Sequence, residues 1–398
     1  MTNVLIIYEV EEPCNIEIRR VFKMLEVRGR LQSRSSLAAQ IGITDLKWGD
    51  VLFFVRSTSS IERDLVLLAK KMRKFVILMI DDDFLGLGTS YGADGAGYRK
   101  ERHDSLKAIL YSIDCLLTVN ELLAEKYIEY CETDRYALTN TMVERSEFFS
   151  PALREKREGK TKMAIYVNDG TQGVFNQILR PALRLLKKSS RGRVALYLMA
   201  LRPDMSEFEK DFDIHYVPHM QYGEFKHFMG TEGFDIGLAP LDNEGFSKYK
   251  YFNKYIEYTL AGIPAIYSDC PLYRLVIRDG YNGIFTDNSP ESWCRTISRM
   301  IEDADLRKEI ISNAQAHLYD NFESNKVLER FVQSIPELAS FKSNDVSVEM
   351  LPPRLCFIKF KYRLFRIRGW FGTATLMIRK GNIGDMWKRF KKRILKMN

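Results

Sequence analysis

A chain of 398 residues, 45% hydrophobic and 28% charged, is globular in composition and too long for one ordinary core, so two α/β domains are expected. No stretch approaches the roughly 20 apolar residues that cross a bilayer, and the six scattered cysteines (Cys14, Cys115, Cys131, Cys270, Cys294, Cys356) read as reduced, mostly core residues rather than a structural zinc site. The formal charge of +8 hides an asymmetry: residues 351–398 hold fourteen Lys/Arg against one acid, Asp385, a net of +13, whereas the rest nets −5, which points to a tail with an anionic partner.

Val4–Tyr8 is a continuous apolar run, as expected of a buried strand, and Glu9, Glu11 and Glu12 follow at once. It has neither the basic start nor the long apolar region of a secretory signal, so a cytoplasmic chain is expected. Helical spacing covers Ile16–Val27. Val51–Val55 then reads as strand, Ile61–Arg73 as helix, Phe75–Ile80 as strand, Ser105–Ser112 as helix, Cys115–Val119 as strand and Glu121–Tyr130 as helix. Strands alternating with helices call for a parallel sheet covered on both faces. Thr139 to about Leu153 reads as a crossing segment, which sets domains at 1–150 and 151–340 and a tail at 341–398.

The second series opens after the basic stretch Lys156–Lys162. Strands are expected at Met163–Val167, Val194–Ala200, Ile214–Val217, Phe234–Ala239 and Ala265–Ser268. Helices are expected at Val174–Lys188, near Tyr222–Met229, and at Tyr251–Ala261, Pro290–Asp303, Asp305–Asn321 and Glu323–Ile335. Gly262 and Pro264 punctuate the end of the third of these.

In open α/β sheets ligands bind at the carboxyl ends of strands. The loop after Phe234–Ala239 leads through Phe246 into Lys250, Asn253, Lys254 and Glu257, and the spacings of four and three place Lys250, Lys254 and Glu257 on one helix face. A cation near a helix N-terminus meets a diphosphate, and a carboxylate further along accepts hydrogen bonds from vicinal hydroxyls, which suits a sugar nucleotide. The same spacing fits a solvated face with an ordinary ion pair. The order Gly262, Pro264, Asp279-Gly280 and Asn282-Gly283 tips the reading toward a site.

The run from Lys250 to Pro264, with Ser268-Asp269 and Asp279-Gly280-Tyr281-Asn282-Gly283, resembles the donor-binding domain of GT-B glycosyltransferases, in particular the retaining group that builds bacterial surface polysaccharides. Trp293, Asp303, Leu306 and Arg307 fit the same group. The resemblance spans roughly residues 234–320. It implies an α/β GT-B fold, two Rossmann-like domains facing a central cleft with a basic C-terminal extension, and transfer of a sugar from a nucleotide-sugar co-substrate with retention and without metal. Glu257 matches the second glutamate of the family's Glu-x7-Glu motif, which holds the donor ribose. The first position falls on Tyr249, so a lysine-rich helix start stands in its place and Lys250 would face phosphate or sugar. Asn168-Asp-Gly170-Thr171-Gln-Gly173 replaces the family's Gly-Arg…Lys pair. Lys250 and Glu257 are the expected catalytic residues. Gly170, Thr171, Gly173, His219, Phe246, Lys250, Lys254 and Glu257 are the expected donor-binding ones.

Asp81, Asp82 and Asp83 follow a strand and contain an Asp-x-Asp, a pattern that holds a divalent ion in other transferases and elsewhere simply caps turns. An acceptor-side role is expected, with no metal. The loop holding Gly86, Gly88, Gly92, Gly95 and Gly97 lacks dinucleotide spacing. Of the five histidines only His219, after a strand end, is placed near a nucleotide base. The tail interleaves Lys359, Lys361, Arg363, Arg366 and Arg368 with Phe357, Phe360, Tyr362, Phe365 and Trp370, and its last stretch sets Met386, Phe390 and Ile394 at helical spacing against Lys388, Arg389, Lys391, Lys392 and Arg393, the composition of an amphipathic basic helix at an anionic membrane surface. The expected enzyme therefore works peripherally on the inner membrane face, on a glycan or lipid-linked acceptor, with no nucleic-acid partner. The rival expectation is a non-catalytic GT-B-like subunit that stabilises or recruits a partner glycosyltransferase.

Overall fold

The computed structural model describes residues 1–10, 13–87, 96–151, 159–168, 171–190, 193–343 and 355–360. The chain divides into two units: Met1–Thr139 with the residues from Leu328 onward, and Asn140–Val327.

The first unit holds six parallel strands, β1 (Thr2–Tyr8), β2 (Leu31–Leu37), β3 (Val51–Val55), β4 (Phe75–Met79), β5 (Cys115–Thr118) and β6 (Tyr136–Leu138), in the order β2-β1-β3-β4-β5-β6. The four apolar runs legible in the sequence are the four central strands. Each is paired on both sides and buried on both faces, so nearly every side chain must be apolar. The two strands that sequence reading missed, β2 and β6, are the edges. Paired on one side only, β2 is polar (LQSRSSL) and half-exposed, and β6 is three residues long. Phe22 of the helix Pro13–Val27 packs edge-on against Phe53, at 5.0 Å, and Phe331, at 6.1 Å. The C-terminal segment is tied to the same sheet by Thr2, whose hydroxyl donates to the Phe341 carbonyl at 3.1 Å, and by a bidentate Arg135–Glu337 pair. In the short helical stretch at 355–360, Leu355 and Ile358 are buried while Phe357 and Phe360 are exposed. Residues 361–398, the rest of the expected amphipathic tail, lie outside the described residues, as do the loop glycines Gly88, Gly92 and Gly95.

The second unit holds six more parallel strands, β7 (Thr161–Val167), β8 (Val194–Ala200), β9 (Asp213–Val217), β10 (Ile236–Ala239), β11 (Ala265–Ser268) and β12 (Ile284–Thr286), in the order β12-β11-β10-β7-β8-β9. The chain winds outward from β7 to β9, returns to β10 beside β7 and winds the other way, so its topological switch point lies between β7 and β10. Its core joins Met163, Ile165, Leu196, Leu198 and Ile236 to Phe175, Phe208 and Trp293 on the covering helices. The unexpected strand is again an edge, β12. The helix expected at Val174–Lys188 runs from Gln172 to Ser190, with a π segment at Phe175–Leu179 inserted after its first turn.

Gly262 ends the helix Asn253–Leu260 as a Schellman cap: the Ile263 N–H donates to the Tyr258 carbonyl at 2.8 Å and the Gly262 N–H to that of Thr259 at 3.0 Å. Its φ of +69° favours glycine, and an added Cβ would sit 2.7 Å from the Phe149 carbonyl. Gly237 on β10 is demanded by a different neighbour. A Cβ there would meet the Tyr258 ring at 2.8 Å, and that ring is held across the β7–β10 seam by its hydroxyl, 3.1 Å from the Leu238 carbonyl and 3.3 Å from that of Ala164.

Candidate functional site

The carboxyl ends of β7 and β10 bring together two loops of the second unit. After β7, the Asn168 N–H donates to Thr171 Oγ1 at 2.9 Å, and the Thr171 hydroxyl lies 3.1 Å from Asn168 Oδ1. The helix that begins at Gln172 follows at once. Gly173, in its first turn, is exposed and has open space where a Cβ would be. Gly170 lies outside the described residues.

After β10, the backbone of Leu241 is gripped on both sides. Its N–H donates to Ser268 Oγ at 2.8 Å, its carbonyl accepts from Asn288 Nδ2 at 2.9 Å, and Ser268 donates to Asn288 Oδ1 at 2.6 Å. Ser268 belongs to the segment that carries the family resemblance. Asn288 was not singled out, because a lone Asn before a helix reads as a turn.

The segment that follows corrects one expectation. Lys250, Lys254 and Glu257 do not share a helix face. Residues Gly245–Tyr249 form a 3-10 turn, Lys250 leaves it with extended backbone (φ −65°, ψ 167°), and the helix starts only at Asn253. Tertiary anchoring overrides the periodicity. Phe252 is buried against Phe322, with ring centroids 5.9 Å apart, and the Tyr251 hydroxyl accepts from the Thr141 N–H at 3.1 Å and reaches Asn140 Oδ1 at 3.2 Å. Those two aromatic anchors require the chain to turn where a helix would have continued. Lys250 instead lies over the Phe246 ring, 5.4 Å from its centroid.

Lys254 and Glu257 do stand together. Lys254 Nζ lies 2.5 Å from Glu257 Oε2, and both side chains are largely withdrawn from solvent, 24% and 16% exposed. The ammonium also sits over the Tyr166 ring near the end of β7, at 4.0 Å, with the Phe225 ring at 5.6 Å. Burial, then the Glu257 charge, pushes the Tyr166 phenol above its ordinary range. Neither aromatic residue carried a signal in the sequence, because their roles depend on three separate elements meeting. His219 lies in the exposed loop between β9 and the helix Tyr222–Thr231.

Asn282 and Asp279 have structural tasks. Buried Asn282 donates to the Tyr255 hydroxyl at 3.0 Å and the Val276 carbonyl at 2.9 Å, and accepts from the Arg278 N–H at 2.7 Å. The Tyr255 hydroxyl meets His317 Nδ1 at 2.7 Å, and burial holds the His317 imidazole below its ordinary range. Asp279 accepts from the Phe285 N–H at 2.7 Å, which closes the loop before β12.

In the first unit the aspartates lie at the carboxyl end of β4, each against a cation. Arg56 bridges Asp81 at 2.9 Å and Asp82 at 2.8 Å and covers the Phe84 ring at 4.9 Å, from a backbone φ of +50°. Asp83 is buried, with Lys126 at 2.6 Å. Beside them, Arg102 joins Glu9 at the end of β1, at 2.8 Å, to Thr58, at 2.6 Å. Fully buried Glu62 accepts from the Ser57 and Ser59 hydroxyls at 2.6 and 2.7 Å and from the N–H groups of Thr58 and Ser59 at 3.1 Å. Burial first, and Glu9 second, push its carboxyl up to about 7. The Ser59-x-x-Glu62 spacing of a capping box carried that signal; nothing local linked Arg56 to Asp81.

Residues 239–317 match the family model described as Glycosyl transferases group 1. No curated protein matches the chain. Among solved structures, the chain is similar to sucrose-phosphate synthase of Thermosynechococcus elongatus, with 12% identity, a TM-score of 0.59 and coverage of 85% of this chain and 99% of that one. It is similar to HepE of Anabaena in complex with UDP-glucose, with 12% identity, a TM-score of 0.59 and coverage of 85% and 100%. The lipopolysaccharide outer core galactosyltransferase WaaB, in its apo form, is 13% identical at a TM-score of 0.54, with coverage of 84% and 99%. The expected fold, GT-B with two Rossmann-like sheets, is the observed one.

Proposed function

We propose that this chain, a glycosyltransferase of the GT-B type, moves a sugar from a nucleotide-sugar donor to a glycan acceptor, with the donor held by the second unit. One observation carries the reading: the Lys254–Glu257 pair stands on the helix that follows the β10 loop at the β7–β10 switch point, inside the span that matches the glycosyl transferases group 1. Glu257 accepts from the ribose hydroxyls, while Lys250 and the amides after β7, from Thr171 to Gly173, face the diphosphate. Fixed cations and amides at that place stabilise charge on the departing nucleotide diphosphate. The UDP-glucose held by HepE supports a nucleotide sugar as co-substrate.

The finer reading is transfer with retention and without metal, onto a lipid-linked or membrane-presented acceptor of surface-polysaccharide synthesis, at the inner membrane face. Asp81, Asp82 and Asp83 serve the acceptor side. The tail's net +13 over residues 351–398 supports the membrane location, since each basic residue near an anionic leaflet adds about 1 kcal/mol. Among the described residues no helix is long and apolar enough to cross a membrane.

A thermal-stabilisation screen of nucleotide sugars, followed by transfer of labelled sugar from the best donor, tests this directly. Glu257→Ala is expected to weaken donor binding at least tenfold, and unchanged affinity would remove Glu257 from the site. Tyr249, standing where the family has an acid, favours a second reading as a non-catalytic subunit. Stable complex formation with a partner transferase, and no nucleotide binding, would establish it.

A further inference from the structure

We infer that Lys254 does not bind the diphosphate but is a positioning residue, which holds the Glu257 carboxylate in place from inside an aromatic cage. The inference rests on the reading of Glu257 as the ribose ligand and replaces the expected role of Lys254 as a direct donor contact.

Three elements build the cage. Tyr166 comes from β7, Phe225 from the helix Tyr222–Thr231, and Lys254 with Glu257 from the helix Asn253–Leu260. The Tyr166 and Phe225 rings meet edge to face at 5.9 Å, a contact that orients both independently of the lysine. The ammonium is 4.0 Å from the Tyr166 centroid, which takes up one side of its charge, and Glu257 Oε2 at 2.5 Å takes another. A cation so engaged, with 24% of its side chain exposed, has little left to offer a phosphate.

Glu257 gains a fixed rotamer. A lone carboxylate on a helix samples several, whereas one locked by a caged ammonium keeps its second oxygen turned to a single direction. The raised Tyr166 phenol follows from the same arrangement, because burial first and the neighbouring carboxylate second favour the neutral ring. Recognition of vicinal hydroxyls depends on that fixed direction. Binding of a phosphate through other groups does not.

The test is discrimination between ribose and a sugar without its hydroxyls. Affinities of the full chain for UDP, ADP and GDP, and for their 2′,3′-dideoxy forms, are measured by calorimetry, and the tightest pair is carried forward. Wild type is expected to prefer the ribo form at least tenfold. Lys254→Met is expected to bring that ratio to within threefold of unity, with dideoxy affinity unchanged within about twofold, while Lys254→Arg restores most of the preference. Tyr166→Leu, which removes the ring and leaves the ion pair, is expected to lower the ratio part of the way, and it carries the test if Lys254→Met fails to fold. Equal loss of ribo and dideoxy affinity in Lys254→Met would make Lys254 a phosphate ligand and overturn the inference. An unchanged ratio in both variants would overturn it too. Failure of the underlying reading looks different: wild type itself would bind no nucleoside diphosphate, or would bind both forms alike.

Discussion

The carboxyl ends of the two sheets hold their polar groups in opposite ways. In the first unit the charges are tied across long sequence distances: Arg56 to Asp81 and Asp82, Lys126 to Asp83, and Arg102 to Glu9. In the second unit the backbone after β10 is tied by neutral groups, Ser268 and Asn288, and the ion pairs Lys254–Glu257 and Arg274–Asp269 are local. A charged network demands that every member be present, since removing one leaves another partly buried and unpaired. A loop held by hydroxyls and amides keeps its place while leaving the charges near it for a ligand. The difference explains why the second unit is the more legible binding surface, although the two units carry equal numbers of acids.

Substitutions test that contrast. The largest effect is expected at Glu62. Its replacement by alanine orphans two hydroxyls and two N–H groups in a buried loop and costs about 4 kcal/mol, read as a lowered melting temperature. Glu62→Gln adds a pH signature. The folded carboxyl holds its proton up to about 7 against an ordinary 4.5, so its contribution is complete below 4.5 and is lost as pH rises through 7. Stability measured from pH 4 to 8 is expected to fall more steeply in wild type than in Glu62→Gln, and parallel curves would contradict the raised carboxyl.

Gly262→Ala comes next, at about 3 kcal/mol, because a positive φ and a clash with the Phe149 carbonyl act together. Gly280→Ala, with φ +71° but open space around the new methyl, isolates the backbone part at about 1 kcal/mol. Equal costs would mean that the close approach to Phe149 is relieved by a small shift. Ser268→Ala is expected to cost about 1 kcal/mol by leaving the Leu241 N–H without its acceptor, and to weaken nucleotide binding several-fold as the β10 loop loosens. Arg274→Ala, which breaks an exposed pair with Asp269, is expected to leave the melting temperature where it was.

How far each feature was legible follows from where its cause lies. Of the nine strands read from apolar runs, eight are paired on both sides, where a parallel strand has almost no choice of residue, and only β9 is an edge. β2, β6 and β12 escaped because an edge strand is paired on one side, and no local pattern is required of it. Gly262 with Pro264 announced a helix end because a left-handed cap nearly always takes glycine. The same helix's start was misplaced by two residues, because Phe252 finds its partner in Phe322, seventy residues away, and periodicity has no access to that contact. Lys254 and Glu257 were found as residues and misjudged as a trio, since Lys250 is set apart by the same anchoring.

By itself, then, the sequence determined the two-sheet α/β plan, the strands of both cores and the segment that carries the candidate donor site, because burial and backbone conformation constrain residues locally. The tertiary structure alone decided which charges meet. Arg56 with the aspartates, Lys254 inside the Tyr166–Phe225 cage and Ser268 with Asn288 on the β10 loop are contacts between elements distant in the chain, and such contacts depend on how the strands and helices pack rather than on which residues stand side by side.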